Sequence, residues 1–264
     1  MVNNNIIKLP NNYELISIEC TTSTMDYAKN VAMQSDKSKN TIVIAEQQTN
    51  GRGRFSRNWE SSVVGNLYCS VVIYPNLWNI KDISKVYEMI FAFSISIAET
   101  IEEISLMDKN QPMKSNFVKC KWPNDIYIDN KKAGGILTEV SKLKNEIDFI
   151  VIGVGLNIIS NPKNIESTCL KLHNINSSVE EILNIFIYRL DTHLRQDFSK
   201  IREIWISRAY KFKEVISFSS PYIKNRQETS DSKIEGIFEG INENGSIIIN
   251  IKNEIITVNM GEIL

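Results

Sequence analysis

Cysteine and histidine are scarce in this chain: four cysteines and two histidines among 264 residues. Cys20, Cys69, Cys120 and Cys169 lie far apart and form no CxxC pair. That spacing excludes a zinc-finger array and a secreted disulfide framework, and leaves reduced thiols of a cytoplasmic protein as the expectation. His173 and His193 stand in unrelated contexts, so solvated or capping histidines are expected rather than metal ligands. Neither sign of charge is in excess. Lys plus Arg number 30, Asp plus Glu 31, and the formal net charge is -1. No bulk field therefore draws the chain to DNA, RNA or an anionic membrane. Long apolar runs are missing too: 89-MIFAFSISIA-98 is the longest and gives way to Glu99, Glu102 and Glu103, short of a membrane span. The opening MVNNNIIKLPNNYELI has no basic region followed by an apolar one, as a secretory leader would. Neither GxxxxGK[ST] nor GxGxxG occurs, so no phosphate loop or dinucleotide fingerprint is available.

What remains is an ordinary globular composition, 42% hydrophobic and 23% charged. Runs rich in β-branched and aromatic residues predict strands at 41–46, 67–74, 117–122 and 147–157. Apolar residues at helical spacing predict a helix over 82–104, with Asp82 or Ser84 as its cap, and a second helical stretch over about 179–212. After Phe212 the pattern turns to short β runs at 234–241, 246–251 and 254–259. The turn 242-NENG-245 carries the Asn-Gly hairpin signal, and Ser217–Gln227 reads as an irregular entry. The expected architecture is a mixed α/β unit, residues 1–213, followed by a small β-barrel-like unit, residues 214–264.

Four stretches carry chemistry. The first is 51-GRGRFSRNW-59, with three arginines and no acidic residue. Glycine lets backbone approach a ligand closely, and arginine presents a fork of donors suited to phosphate or carboxylate. Such a loop suits closure over an anion; a solvated basic loop is the plain alternative. In 121-KWPNDIYIDNKKAGGIL-137, Pro123-Asn124-Asp125 reads as a turn whose oxygens suit Mg²⁺, and Lys132 stands beside glycines as a point charge for a phosphoryl group. A hairpin with solvated lysines would explain the same residues. In 21-TTSTMDYAKNVA-32, Ser23 or Thr24 fits a helix N-cap, with Asp26 in the first turn, and a helix start can also hold a polar ligand group. In 153-GVGLN-157, the glycines let a ligand pack flat on the strand, and Asn157 could read a base edge; a strand end followed by an Asn turn is the simpler account.

Taken in order, STM at 23–25, AEQQTNGRGR at 45–54, Trp59, KWPNDIY at 121–127, KKAGGIL at 131–137 and VIGVGLN at 151–157 resemble biotin protein ligase. The tail 236–263 is similar to that family's SH3-like C-terminal domain. The resemblance implies an ATP-dependent ligase that activates biotin as biotinyl-5′-AMP and passes it to a lysine of a biotin carboxyl carrier domain. It implies Lys132 and Arg54 as catalytic residues. Biotin would be bound by Ser23, Thr24, Met25, Gln48, Arg52, Gly53, Arg54, Lys132, Gly135, Leu137, Gly153 and Gly155. ATP would be bound by Arg52, Arg54, Trp59, Asn124, Lys132 and Asn157, with Asp125 and Asn124 on the Mg²⁺ side. A homodimer is compatible with it.

Two departures stand out. The family commonly has Asn where this chain has Met25, and glycine where it has Ser56. A lipoate ligase or octanoyltransferase shares the catalytic fold but lacks the GRGR and KWPND pairing. A biotin repressor carries a helix-turn-helix ahead of the catalytic domain. Only 22 residues precede Ser23, too few for three helices, so a monofunctional ligase without DNA binding is the expectation.

Overall fold

The structure is a computed structural model that describes residues 7–80, 82–107, 116–220 and 233–264. Seven strands form one sheet: β1 (Tyr13–Thr21), β2 (Asn40–Gln48), β3 (Leu67–Ile73), β4 (Val118–Lys121), β5 (Asp125–Ile128), β6 (Lys131–Leu143) and β7 (Glu146–Leu156). Their order is β1-β2-β3-β7-β6-β5-β4. β1 runs parallel to β2, and the other neighbours are antiparallel. A parallel pair needs a crossover, and α1 (Thr24–Gln34) supplies it. The sequence patterns place β2, β3, β4 and β7 within a few residues of their observed bounds. They do not single out β1, whose exposed edge position leaves only Tyr13 fully buried.

The two faces of the sheet are covered differently. α3 (Ile83–Met107), α4 (Val179–Leu194) and α5 (Phe198–Ser207) bury one face with Phe93, Phe186 and Trp205 at the centre of the core. A short α2 (Pro75–Trp78) precedes α3. The predicted Asp82 cap is present: its carboxylate accepts from Ser84 N–H at 2.8 Å. α3 also buries Ser94, Ser96 and Thr100, each of which donates to the carbonyl four residues back, so no hydroxyl is left without a partner. On the opposite face α1 covers only part of the sheet. Met25, Ala28 and Ala32 pack there on Val43, Val72, Tyr74, Phe149 and Val151. The remainder of that face is the floor of a cavity.

The helical stretch expected over 179–212 is two helices. α4 closes with Gln196 N–H donating to His193 O, and Asp197 starts α5. Leu194 and Phe198 keep the apolar stripe continuous across the break, which hides it in the sequence. Beyond α5 the chain straightens. Cys120 N–H donates to Arg208 O and Tyr210 N–H to Cys120 O, both at 2.9 Å, which covers the outer edge of β4.

A second sheet of five antiparallel strands follows: β8 (Val215–Ser219), β9 (Lys233–Ile241), β10 (Ile247–Ile251), β11 (Glu254–Val258) and β12 (Glu262–Ile263), in the order β11-β10-β9-β8-β12. Ser217–Ser219 belong to β8 and not to an irregular entry. The rest of that expected segment, from residue 221, lies outside the described residues, as do residues 1–6 of the N-terminal stretch. Asn242–Gly245 form the predicted turn, with Asn242 Oδ1 accepting from Asn244 and Ser246 N–H.

This second sheet is docked on the first. Trp122 Nε1 donates to Gly245 O at 3.0 Å, the Trp122 and Phe218 rings lie 5.7 Å apart, and Arg202 Nε donates to Ile241 O at 2.6 Å. Gly245 has φ +75°, and a Cβ there would stand 2.5 Å from Phe91. Gly245→Ala is therefore expected to cost about 1–3 kcal/mol, from strain and overpacking together. Urea unfolding at parent-like stability would contradict this docking contact.

Candidate active site

The cavity occupies about 610 Å³ on the partly covered face. Its inner end is organised by the start of α1. Ser23 is the N-cap and accepts from Met25 N–H at 3.3 Å. Thr24 N–H donates to Gln48 Oε1 at 2.7 Å, and Thr24 Oγ1 lies 3.1 Å from the same oxygen. Ser70 Oγ donates to Thr24 Oγ1 at 2.8 Å, and Gln48 Nε2 donates to Ser61 Oγ at 2.9 Å. A chain of polar groups thus runs from β3 through α1 to β2 and is fixed before any ligand arrives. Gly51 is obligatory beside it, because a Cβ there would fall 2.2 Å from Ser61 Oγ.

The floor follows from register. Tyr68, Gly155, Gly135, Asp125 and Lys121 are successive cross-strand partners over β3, β7, β6, β5 and β4. Directly opposed residues share a face, so these five point into the cavity in one row. One step along the strands lies a second row, Ser70, Gly153 and Leu137. Two glycines leave the first row bare at its centre, and the Trp59 indole lies on that strip. A Cβ on Gly155 would stand 2.4 Å from its ring, and one on Gly135 would stand 3.3 Å away. Met25 does the same to Gly153, with Sδ 2.9 Å from where a Cβ would be. This position faces the apolar pack beneath α1, so the methionine that departs from the family's asparagine is well solvated by core atoms.

The arginine loop closes the cavity from above. Arg52 and Asn58 bridge, Gly53 N–H donates to Arg57 O, and a 3-10 turn spans Arg54–Ser56. Phe55 and Ser56 have φ +54° and +59°, the left-handed region. Ser56 therefore adopts the backbone for which the family's usual glycine is suited. The three arginines have different partners. Arg52 forms ion pairs with Asp26 at 2.8 Å and Glu139 at 3.0 Å, and Lys29 also pairs with Glu139. Arg57 grips both oxygens of Glu262 at 2.8 and 2.9 Å, which holds that carboxyl below its ordinary range. Among the described residues Arg54 meets no carboxylate in an ion pair: it donates to Asn124 Oδ1 at 3.3 Å and Gly261 O at 3.2 Å and lies over the Phe55 ring. Burial pushes its pKa down, opposed by the nearby Asp125 and Glu262 carboxylates.

Across the floor, Lys132 Nζ lies 2.7 Å from Asp125 Oδ1 and 5.6 Å from the Trp59 ring centre. Asn124 Nδ2 donates to Ile136 O, so its amide oxygen is turned to Arg54. Lys121 Nζ donates to Tyr127 OH at 3.0 Å.

The cavity gathers all twelve residues expected to bind biotin: Ser23, Thr24, Met25, Gln48, Arg52, Gly53, Arg54, Lys132, Gly135, Leu137, Gly153 and Gly155. Trp59, Asn124 and Asp125 line it too. Asn157 does not, and its expected place on the ATP side is corrected. It is 2% exposed, its Nδ2 donates to Thr168 O, and its backbone joins Ala133 and Leu170. Its amide serves a buried turn at the end of β7. Sequence reasoning missed Lys121, Arg57, Tyr127, Glu166 and the Glu262–Leu264 tail as lining residues. Lys121, Tyr127 and Arg57 stand inside the quoted motifs. Nothing in the sequence indicates that β12 reaches the arginine loop.

The biotin/lipoate A/B protein ligase family model matches residues 17–157, which hold the sheet apart from the first residues of β1, together with α1, the loop and both rows of the floor. The chain belongs to this family. Among curated relatives, the bifunctional ligase/repressor BirA of Bacillus subtilis is 27% identical over 209 residues, covering 74% of this chain and 59% of that protein. The biotin–[acetyl-CoA-carboxylase] ligase of Mycobacterium tuberculosis is 28% identical over 131 residues, 50% of this chain and 44% of that one. The chain thus spans less than two thirds of the length of either. Among solved structures, biotin protein ligase from Aquifex aeolicus in complex with biotin and ATP superposes with a TM-score of 0.74 at 25% identity, covering 95% of this chain and 97% of that one. The fold is that of biotin ligases, a mixed seven-stranded sheet followed by an SH3-like antiparallel sheet.

Gly155→Ala is expected to lift the Trp59 ring off the floor. The change should appear in tryptophan fluorescence and vanish when Trp59→Phe is introduced beside it. Superimposable spectra for parent and Gly155→Ala would mean that the indole does not rest on this glycine.

Proposed function

We propose that this chain is an ATP-dependent biotin–protein ligase. The single observation that carries the reading is the convergence of the twelve expected biotin-binding residues, from five separate segments, on one cavity. The chemistry has two steps. A biotin carboxylate oxygen attacks the α-phosphorus of ATP, the bond to the β-phosphate breaks, and pyrophosphate leaves with its electron pair. A deprotonated lysine of the carrier domain then attacks the acyl carbon of biotinyl-5′-AMP and releases AMP.

Each group has work in that scheme. Ser23, Thr24 and Gln48 hold the polar end of biotin, and Met25, Leu137 and Gly153 flank its apolar body. Lys132 and Arg54 face the carboxylate and α-phosphate, where charge develops, so their contribution is electrostatic and needs little reorganisation. Arg52 braces the loop root while Trp59 lies along the adenylate path. Loop closure would keep water from the mixed anhydride. Asp125 and Asn124 would hold Mg²⁺. One carboxylate and one amide oxygen, each of which now faces a cation that it would have to share or release, leave most of the ion's oxygens to come from the phosphates. That ion would draw charge off the phosphates.

The same reading makes residues 1–213 the catalytic unit and 214–264 the C-terminal unit. It takes the carrier domain of a biotin-dependent carboxylase as the protein substrate. Free thiols at Cys20, Cys69, Cys120 and Cys169 accord with a cytoplasmic setting. Among the described residues no helix is long and apolar enough to cross a membrane. A homodimer would use the outer edge of β6 beyond Gly135, where no described strand pairs with it.

The deciding experiment mixes the purified protein with Mg-ATP and, separately, biotin, lipoate or octanoate, and identifies products by mass spectrometry. Biotinyl-AMP from biotin alone is expected. An adenylate from lipoate or octanoate instead would move the assignment to the lipoate branch of the family. Lys132→Ala is expected to lower adenylate formation by about 10²–10³-fold, and near-parental rates would remove its role. Arg54→Ala is expected to release more free adenylate per turnover, measured after rapid filtration.

A further inference from the structure

Lys132 reaches the cavity through an irregularity in β6. Ile126 stands opposite Gly134 and Tyr127 opposite Lys132, so Ala133 is an extra residue, a bulge in β6. Side chains alternate along a strand, and Lys132 and Gly135 are three positions apart. Without the extra residue the lysine would point away from the cavity that Gly135 faces. With it, both line the cavity. Two carbonyls of the bulge are held from outside the hairpin. Asn157 N–H donates to Ala133 O at 2.8 Å, and Thr168 N–H donates to Lys132 O at 2.9 Å. β7 ends at Leu156, and beside Lys132 its place is taken by Ser167 in a parallel bridge.

One imidazole joins this strap to the turn that opens β6. His173 closes the 3-10 turn Leu170–His173, and its side chain is 11% exposed. Its Nδ1 lies 3.3 Å from Asp129 Oδ2, and its Nε2 lies 2.8 Å from Thr168 Oγ1. A carboxylate can only accept, so Nδ1 carries the hydrogen, and in the neutral ring Nε2 accepts from the threonine hydroxyl. Hydroxyl, imidazole and carboxylate stand in the order of a nucleophilic triad, but Thr168 is 2% exposed and does not line the cavity. The set therefore orients backbone. It closes a ring of contacts: Asp129 to Lys132 along the chain, Lys132 O to Thr168 N–H, Thr168 Oγ1 to His173, and His173 back to Asp129.

We propose that His173 is a positioning residue for Lys132, holding the bulge that aims the lysine at the reacting groups. This rests on the ligase reading above, in which Lys132 faces the carboxylate and α-phosphate. His173 itself touches neither substrate. It fixes the turn three residues before Lys132 and, through Thr168, the carbonyl of Lys132. With both ends of that short span held, the Cα–Cβ direction of the lysine is set, and Nζ is delivered 2.7 Å from Asp125 Oδ1. Once released, the bulge can slip by one residue, and a slip of one residue turns a side chain to the other face of the sheet. Even a displacement of about 1 Å at a reacting group can lower a rate by about 10²-fold.

The test compares the parent with His173→Ala, His173→Gln and Asp129→Gly, the last a surface change at φ +47°, where glycine is unstrained. Two properties are read. One is the rate at which acetic anhydride labels Lys132 relative to the other lysines, by mass spectrometry without biotin or ATP. The other is kcat and KM for biotinyl-AMP formation. In His173→Ala and Asp129→Gly, labelling of Lys132 is expected to rise about threefold as its pair with Asp125 loosens. Their kcat is expected to fall about tenfold or more, with the KM for biotin within about twofold of the parent. His173→Gln, whose amide offers one donor and one acceptor, should recover most of both. In a Lys132→Ala background the same changes should cost no further rate. Unchanged labelling would make His173 a residue of the fold alone and overturn the proposal. So would a kcat that stays at the parent value, or an equal loss of rate with and without Lys132. Because labelling needs no substrate, a chain that forms no biotinyl-AMP would sink the ligase reading, while the hold of His173 on Lys132 is still decided by the labelling.

Discussion

Gly135 and Gly155 face each other across β6 and β7, and the absence of two side chains there sets the terms for the rest of the cavity. A flat strip of backbone is the one surface on which an indole lies within van der Waals contact, and Trp59 lies on it. The same residue ties down the end of the arginine loop, because its backbone N–H donates to Gly51 O at 3.0 Å. Gly51 can occupy that place only without a Cβ. Three glycines, in the arginine loop, β6 and β7, thus form one steric constraint. The polar chain from Ser70 to Ser61 holds the inner end of the same floor, and the charged residues begin where the bare strip stops.

Electrostatics then divides the basic residues by task. Arg52 and Arg57 are matched to carboxylates and serve to position the loop. Arg54 and Lys121 are left against neutral partners, and Lys132 shares one carboxylate. A cavity built this way carries excess positive charge only where an anionic substrate would supply the balance. Burial makes that charge expensive to keep unpaired, so an anion bound there would relieve a cost that folding incurred. The buried thiols take no part. Cys69 and Cys120 have pKa values pushed up to about 12 by burial and remain protonated.

Much of this was legible in the sequence, and the reason is local chemistry. Short motifs in which glycine, arginine, lysine and turn residues alternate predicted the cavity residues, because each motif is a strand end or loop that carries its own geometry. β1 was not legible. As a solvent-exposed edge strand it has little apolar alternation, and its parallel pairing to β2 exists only in three dimensions. The break between α4 and α5 was hidden because Leu194 and Phe198 both face the core. Asn157 was misplaced because an asparagine after glycine-rich strand can face a ligand or a buried turn, and only the partner Thr168 O decides. Glu262 is the clearest case of information absent from local sequence. Its partner Arg57 lies 205 residues away, and no motif joins them.

The three arginines of one nine-residue loop, 51–59, are held from three parts of the molecule: Arg52 by α1 and β6, Arg54 by the turn before β5 and by Gly261, and Arg57 by β12. A loop tethered at three points behaves as a comparator. It can lie flat only when helix, turn and terminal strand are all correctly placed. The cavity thus registers the docking of the C-terminal sheet, the start of α1 and the turn before β5 through a single short segment, and an error in any one of them reaches the cavity floor by the same route.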